Sequence, residues 1–189
     1  MDPVAATERA VGRPLEPTLV ERARHGDVAA FEILLRGRLD PLFRTAWAIL
    51  GSEADARDAT QEACISAWRQ LPRLRDADAF DAWLHRVLVN CCRMALRRRG
   101  RVREVPIGAS HDQAANDNDG VSSLEESEAI LRAFDRLSID QRTILTLHHL
   151  QHQPLATISL ALGIPIGTAK SRLHAARAAL ERALAEEWR

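Results

Sequence analysis

The 189-residue chain has no tyrosine, and its four tryptophans and four phenylalanines bring aromatic residues to only 4%. No segment of strand length alternates apolar with polar residues, so the usual sign of a half-buried strand is missing. Three cysteines, Cys64, Cys91 and Cys92, are too few for a disulfide framework, and vicinal cysteines in a helix do not readily bond to each other. Reduced, mostly buried thiols in a cytoplasmic protein are the expectation. No apolar run reaches the ~20 residues of a membrane helix. No signal-peptide pattern opens the chain, so membrane insertion is not expected. No Ser/His/Asp or Cys/His arrangement is recognisable, and nothing points to an enzyme. His148, His149 and His152 share helical faces in pairs, but no Cys or acidic ligand lies near them in sequence to complete a set of about four zinc ligands. No metal or other cofactor is expected.

Arginine, alanine and leucine dominate, which favours helix over sheet. The formal net charge is zero, but the charges lie in opposed blocks. Arg93, Arg97, Arg98, Arg99, Arg101 and Arg103 follow one another with no acid between. From Pro106 to Glu128 there are six acids and no Lys or Arg. From Gln141 to Leu180 there is no acid at all, only Arg142, Lys170 (the chain's one lysine), Arg172, Arg177 and four histidines. Each block makes a local field that the total hides.

Met1 to Pro17 carries three prolines and little periodic apolar content, so a loose tail is expected over 1–17. A helix through Leu19, Val20 and Ala23 breaks at Gly26. Asp27 then caps a helix with Val28, Phe31, Ile33, Leu34 and Leu35 on its apolar face, which continues from Leu39 to Leu50 with a kink or joint at Pro41. Gly51 ends it and Ser52 opens the next helix, with Asp55 at capping-box spacing. That helix, to Leu71, sets Ala56, Ala59, Ala63, Ile65, Ala67 and Trp68 on an apolar side. Asp55, Asp58, Gln61 and Glu62 form a polar side, either solvated or a docking surface. After a loop over 72–78, Asp78 is read as the cap of a long helix with Phe80, Trp83, Leu84, Val87, Leu88, Cys91, Met94 and Ala95 at helical spacing. Periodicity vanishes from Arg101 to Ser122, where turn-forming residues collect. A second helical unit follows: 124–137, a capping box at Ser138–Gln141, 142–150, 155–162 and a last helix to about Glu187. The fold class is therefore all-α, with helical domains over 18–100 and 123–189 and a flexible linker over 101–122.

The turn around Gly163 and Gly167 precedes Lys170-Ser171, which invites a phosphate-loop reading. That motif needs its lysine directly after the second glycine and a strand before the first; here the lysine is displaced and the preceding segment is helical. A helix-turn-helix fits in order and length: Leu155–Leu162, a tight turn at Gly163-Ile164-Pro165, and a helix from Gly167 to Leu180. Ile158, Leu162, Ile164, Leu173 and Leu180 supply inner faces. Thr168, Lys170, Ser171, Arg172 and His174 crowd the exposed first turns. An ordinary helical hairpin with a solvated basic side is the alternative.

Four motifs in order give the chain a resemblance to the extracytoplasmic-function sigma factors of bacterial RNA polymerase, over about Leu19 to Leu184. Leu19-Val-Glu-Arg-Ala-Arg-His-Gly-Asp27 with Ala30-Phe31 resembles the family's opening. Asp55-Ala-Arg-Asp-Ala-Thr-Gln-Glu62 with Ala67-Trp68 resembles its polymerase-binding helix. Phe80-Asp-Ala-Trp-Leu-His-Arg-Val87 with Asn90 resembles the segment that opens and reads the −10 element. Leu162 to His174 resembles the helix-turn-helix that reads the −35 element.

The resemblance implies a non-catalytic initiation factor that binds core polymerase and melts promoter DNA, for a stress or envelope response. Asp55, Asp58, Gln61 and Glu62 would dock on the clamp helices of the largest subunit, and the second domain would meet the flap of the second-largest. Arg73, Arg75, Phe80, Trp83, Arg86, Asn90, Arg93 and Arg97 would hold the −10 strand. Within that set, Phe80 and Trp83 are stacking candidates, core packing being the other reading and the preferred one for Trp83. Arg93, Arg97, Arg98 and Arg99 would meet phosphates. Thr168, Lys170, Ser171, Arg172, His174 and Arg177 would read −35. The linker would thread the polymerase channels, and an anti-sigma factor is an implied partner. The chain departs from the family's pattern at Ala175, where many members carry Arg, at Ala156 and Thr157, where acids are usual, and at Ser159, where Ala is customary. No further domain is expected after Arg189. A stand-alone helix-turn-helix regulator and a protein-binding helical adaptor are the competing readings.

Overall fold

Asp27 has extended backbone and its carboxylate accepts from the Ala30 N–H, the geometry of an N-cap. Gly26, at φ 93°, turns the chain into it. A computed structural model describes residues 17–102 and 129–188; the expected tail before Pro17, most of the linker and the start of the helix expected over 124–137 lie outside the described residues. Every regular element among the described residues is helical. The first domain holds α1 (Pro17–Arg24), α2 (Val28–Arg36), α3 (Leu39–Leu50), α4 (Glu53–Gln70), a 3₁₀ turn (Leu71–Arg73) and α5 (Phe80–Val102). The second holds α6 (described over 129–135), α7 (Ile139–Leu145), a π-helical turn (Thr146–Leu150), α8 (Leu155–Leu162) and α9 (Ile166–Glu187).

Most stops and starts follow from local chemistry. Gly51 ends α3 at φ 66°, and the Ser52 hydroxyl accepts from the Asp55 N–H to start α4. Ser138 and Gln141 form a reciprocal capping box on α7. Gly163 ends α8 at φ 65°. Two expected boundaries differ. The joint between α2 and α3 falls at Gly37-Arg38, while Pro41 sits in the first turn of α3, where its missing N–H leaves no bond unmade. Asp78 does not cap α5; the Asp76 carboxylate instead accepts from the Asp78 N–H, 3.0 Å away.

The first core gathers Val20, Leu34, Leu42, Ile49, Leu71, Phe80, Leu84 and Leu88, all fully buried, around the alanine face of α4. The second is smaller and joins Ile144, Leu147, Ile158, Ala169, Leu173 and Ala176. Val28, Ile33, Ile65 and Met94, assigned to inner faces by periodicity, are exposed. An apolar side chain at the rim of a helical stripe has the right period without the right depth. The two domains touch: α8 lies against α5 and α7 against α3. Leu162 packs in both cores and Ile139 leans on the first.

Candidate protein-docking and nucleic-acid interfaces

The small residues Ala56, Ala59, Ala63 and Ala67 bury one side of α4 and let neighbouring helices approach closely. Its other side meets α5 across a groove of about 560 Å³. Asp55, Asp58, Gln61 and Glu62 all line that groove, facing Cys91, Ala95, Arg98 and Arg99 of α5. Asp55 is half-buried and pairs with Arg99 at 3.0 Å; Asp58, Gln61 and Glu62 are exposed. Arg98 and Arg99 thus line this groove, on a different side of α5 from Arg93 and Arg97. Burial pushes up the thiols of Cys64 and Cys91, with Glu62 adding to the effect on Cys91, and burial drives Cys92 behind them up to about 12.

On α5, Trp83, Arg86, Asn90, Arg93 and Arg97 follow at three- and four-residue steps and so form one stripe. It lies well around the helix from the groove-lining positions. Arg86, Asn90 and Arg97 are exposed, and Trp83 and Arg93 are half-buried. Arg73 and Arg75 project from the preceding loop, which Leu71 and Leu74 anchor in the core. Phe80 does not join them. Its ring is fully buried, 5.8 Å from that of Trp83 and under the Arg38 guanidinium, so it has no face to offer a base. Sequence favoured core packing for Trp83; the ring that is fully in the core is Phe80.

In α9 the buried positions Ala169, Leu173 and Ala176 fix the helix against its domain and leave Lys170, Ser171, Arg172, His174 and Arg177 exposed. Thr168 is half-buried, and the Ser171 hydroxyl donates to its carbonyl at 3.0 Å. Arg177 donates to Nε2 of His149 at 3.2 Å. Burial, with His149, Arg177 and His152 close by, holds His148 below the ordinary histidine value. His149 thus lies against the exposed side of α9.

The second domain also reaches the first. Arg86 donates to the Leu160 carbonyl. Arg93 pairs with Asp140 at 2.9 Å. The Gln153 amide meets the His85 ring at 3.1 Å. Asp140, Gln153 and His85 were missed as site residues. The one available signal was that Asp140 is the last acid before the acid-free stretch.

Two family models match: Sigma-70 region 2 over residues 34–102 and Sigma-70, region 4 over residues 127–180. The ECF RNA polymerase sigma factor SigM of Mycobacterium tuberculosis is 35% identical over 159 residues, spanning 84% of this chain and 79% of SigM. The chain belongs to the ECF sigma factors of the sigma-70 family. The sigma-H factor of Pseudomonas aeruginosa is 30% identical to this sigma factor over 177 residues, 88% of this chain and 92% of that one. The sigma factor RpoE of Bartonella quintana, solved with the anti-sigma factor NepR, superposes with a TM-score of 0.68 at 25% identity over 82% of this chain and 96% of that one. CnrH, solved with the cytosolic domain of CnrY, shares the fold with a TM-score of 0.66 at 22% identity over 91% and 98%. This sigma factor is accordingly a DNA-binding transcription initiation factor of RNA polymerase. No described helix is long and apolar enough to cross a membrane.

Proposed function

We propose that this sigma factor docks core polymerase through the α4–α5 groove and reads promoter DNA through two separate faces. Asp55, Asp58, Gln61 and Glu62 meet the clamp helices of the largest subunit, while the second domain meets the flap of the second-largest. Arg73, Arg75, Trp83, Arg86, Asn90, Arg93 and Arg97 hold the −10 strand, with Trp83 the remaining candidate for stacking on an extruded base. The exposed side of α9, from Thr168 through Lys170, Ser171, Arg172 and His174 to Arg177, reads −35. The domains are bounded at 18–100 and 123–189, and the protein is non-catalytic and cytoplasmic. A stress or envelope regulon is part of the proposal, and so is an anti-sigma partner, since RpoE of Bartonella quintana was solved with one.

One observation carries this reading: the expected docking residues line a single groove, and the expected −10 residues form a stripe well around α5 from it. One helix can then face polymerase and DNA at once. Asp58→Arg and Gln61→Ala each change an exposed side chain of that groove. Both should weaken binding to core polymerase, Asp58→Arg by at least about tenfold, with an unchanged melting temperature. Normal binding by both variants would refute the groove as the dock.

A further inference from the structure

Lys170, His174 and Arg177 are exposed and follow at four- and three-residue steps, one stripe along α9. Arg177, the last of them, donates from Nε to Nε2 of His149 at 3.2 Å. A guanidinium can only donate, so Nε2 carries no proton and His149 is neutral while this bond lasts. The bond uses one of the five guanidinium donors. The His149 ring stands edge-on to that of His148, with centroids 4.6 Å apart. His148 is half-buried and its Nδ1 has no partner; burial first, then His149, Arg177 and His152, hold it neutral. An added proton therefore goes to the exposed His149 before His148. Among the described residues no carboxylate pairs with His149 or Arg177. The π-helical turn also packs on α3, α7 and α8. Of these, α8 has no charged group, Asp140 and Arg142 of α7 pair with Arg93 and Asp135, and α3 carries Asp40 and Arg44. On α9, His174 and Glu181 stand a turn to either side of Arg177.

We propose that His149 and Arg177 form a further phosphate site on the −35 face, and that this site takes up one proton as it binds the DNA backbone. At high pH the Arg177 bond holds a neutral His149, and Arg177 meets the phosphate alone. When Nε2 takes a proton from solvent that bond is lost, because two donors then face each other. A phosphate oxygen between them accepts from both, through charge-assisted hydrogen bonds. With no anion there, two cations so close repel. Proton and phosphate therefore favour each other's binding, by the same factor in either direction. The affinity of this face for DNA rises as the pH falls through the range where an ordinary imidazole titrates, about 6.5. The inference rests on the reading of α9 as the −35 face, to which it adds His149.

The test uses the full chain and a tetramethylrhodamine-labelled duplex of mixed sequence. Fluorescence anisotropy gives the affinity at pH 8.0 and pH 6.0 near 0.1 M salt. His149→Gln keeps an oxygen that accepts from Arg177 but takes up no proton. The rise in affinity on acidification should be at least about threefold smaller in His149→Gln than in wild type. His25→Gln removes an exposed histidine of the first domain and should keep the whole rise. Any effect of His85 is common to all three proteins. Titration calorimetry at pH 6.5, in two buffers of different ionisation enthalpy, counts the protons taken up with the DNA. Wild type should take up more than His149→Gln. Equal rises in affinity, or equal proton uptake, in these two proteins would overturn the proposal. Arg177→Ala tests the underlying reading by itself. A flatter salt dependence at pH 8.0 supports Arg177 as a phosphate contact, and equal rises alongside it would end the proposal alone. An unchanged salt dependence removes Arg177 from the −35 set and takes the proposal with it.

Discussion

His85 lies between the domains with its Nδ1 2.8 Å from the Asp81 carbonyl. A carbonyl can only accept, so Nδ1 carries the proton and Nε2 accepts from the Gln153 amide at 3.1 Å. Burial holds this imidazole below the ordinary value of 6.5; Asp81 opposes the shift and Arg38 adds to it. These are the charged groups that face the ring, and α8 brings none. A histidine with a depressed value favours the packed state while neutral, so its contribution is full above pH 6.5 and is lost as the pH falls below that value. The melting temperature should therefore drop between pH 7.5 and pH 5.5, and drop less in His85→Gln; equal drops in the two proteins would remove His85 as the source. Nothing in the sequence announced this role, because His85 looks like any polar residue on a long helix. Phe80 was misplaced for a related reason: spacing tells which side of a helix a residue is on, not whether another layer covers it.

At the scale of elements, the caps were the most legible features. Asp27, Ser52, Ser138 with Gln141, and Gly163 each act through neighbours three or four residues away, so the sequence window contains the whole interaction. The alanine and polar sides of α4 were legible in the same way, down to the four groove residues. The joint at Gly37-Arg38 was not, because a distant partner fixes it. Arg38 pairs with Asp81 at 2.6 Å and donates to the Leu34 carbonyl. The two glycines of the helix-turn-helix look alike in sequence but not in conformation. Gly163 has φ 65°, whereas Gly167 sits inside the first turn of α9 with open space where a Cβ would go. Gly163→Ala should cost about 1–2 kcal/mol, the penalty for an L-residue in the left-handed region. Gly167→Ala should stabilise by roughly 0.5–1 kcal/mol. Chemical denaturation of the two variants checks both signs, and matching signs would contradict the turn described here.

At the scale of the molecule, two all-helical domains followed from the helical periodicity of the chain and its loss between them. Their mutual contact did not. Arg86 and Leu160 stand 74 residues apart, Gln151 and Pro41 110 apart, and no local pattern joins such pairs. The central claim concerns the whole chain acting with polymerase at a promoter. It is tested most directly by transcription in vitro with core polymerase and a promoter library, using wild type, Asp58→Arg, and Lys170→Glu with Arg172→Glu. The account predicts promoter-dependent initiation by wild type, loss with Asp58→Arg because core is no longer bound, and loss with the α9 double variant while core binding persists. Absence of initiation from every promoter, together with no binding of wild type to core, would contradict it.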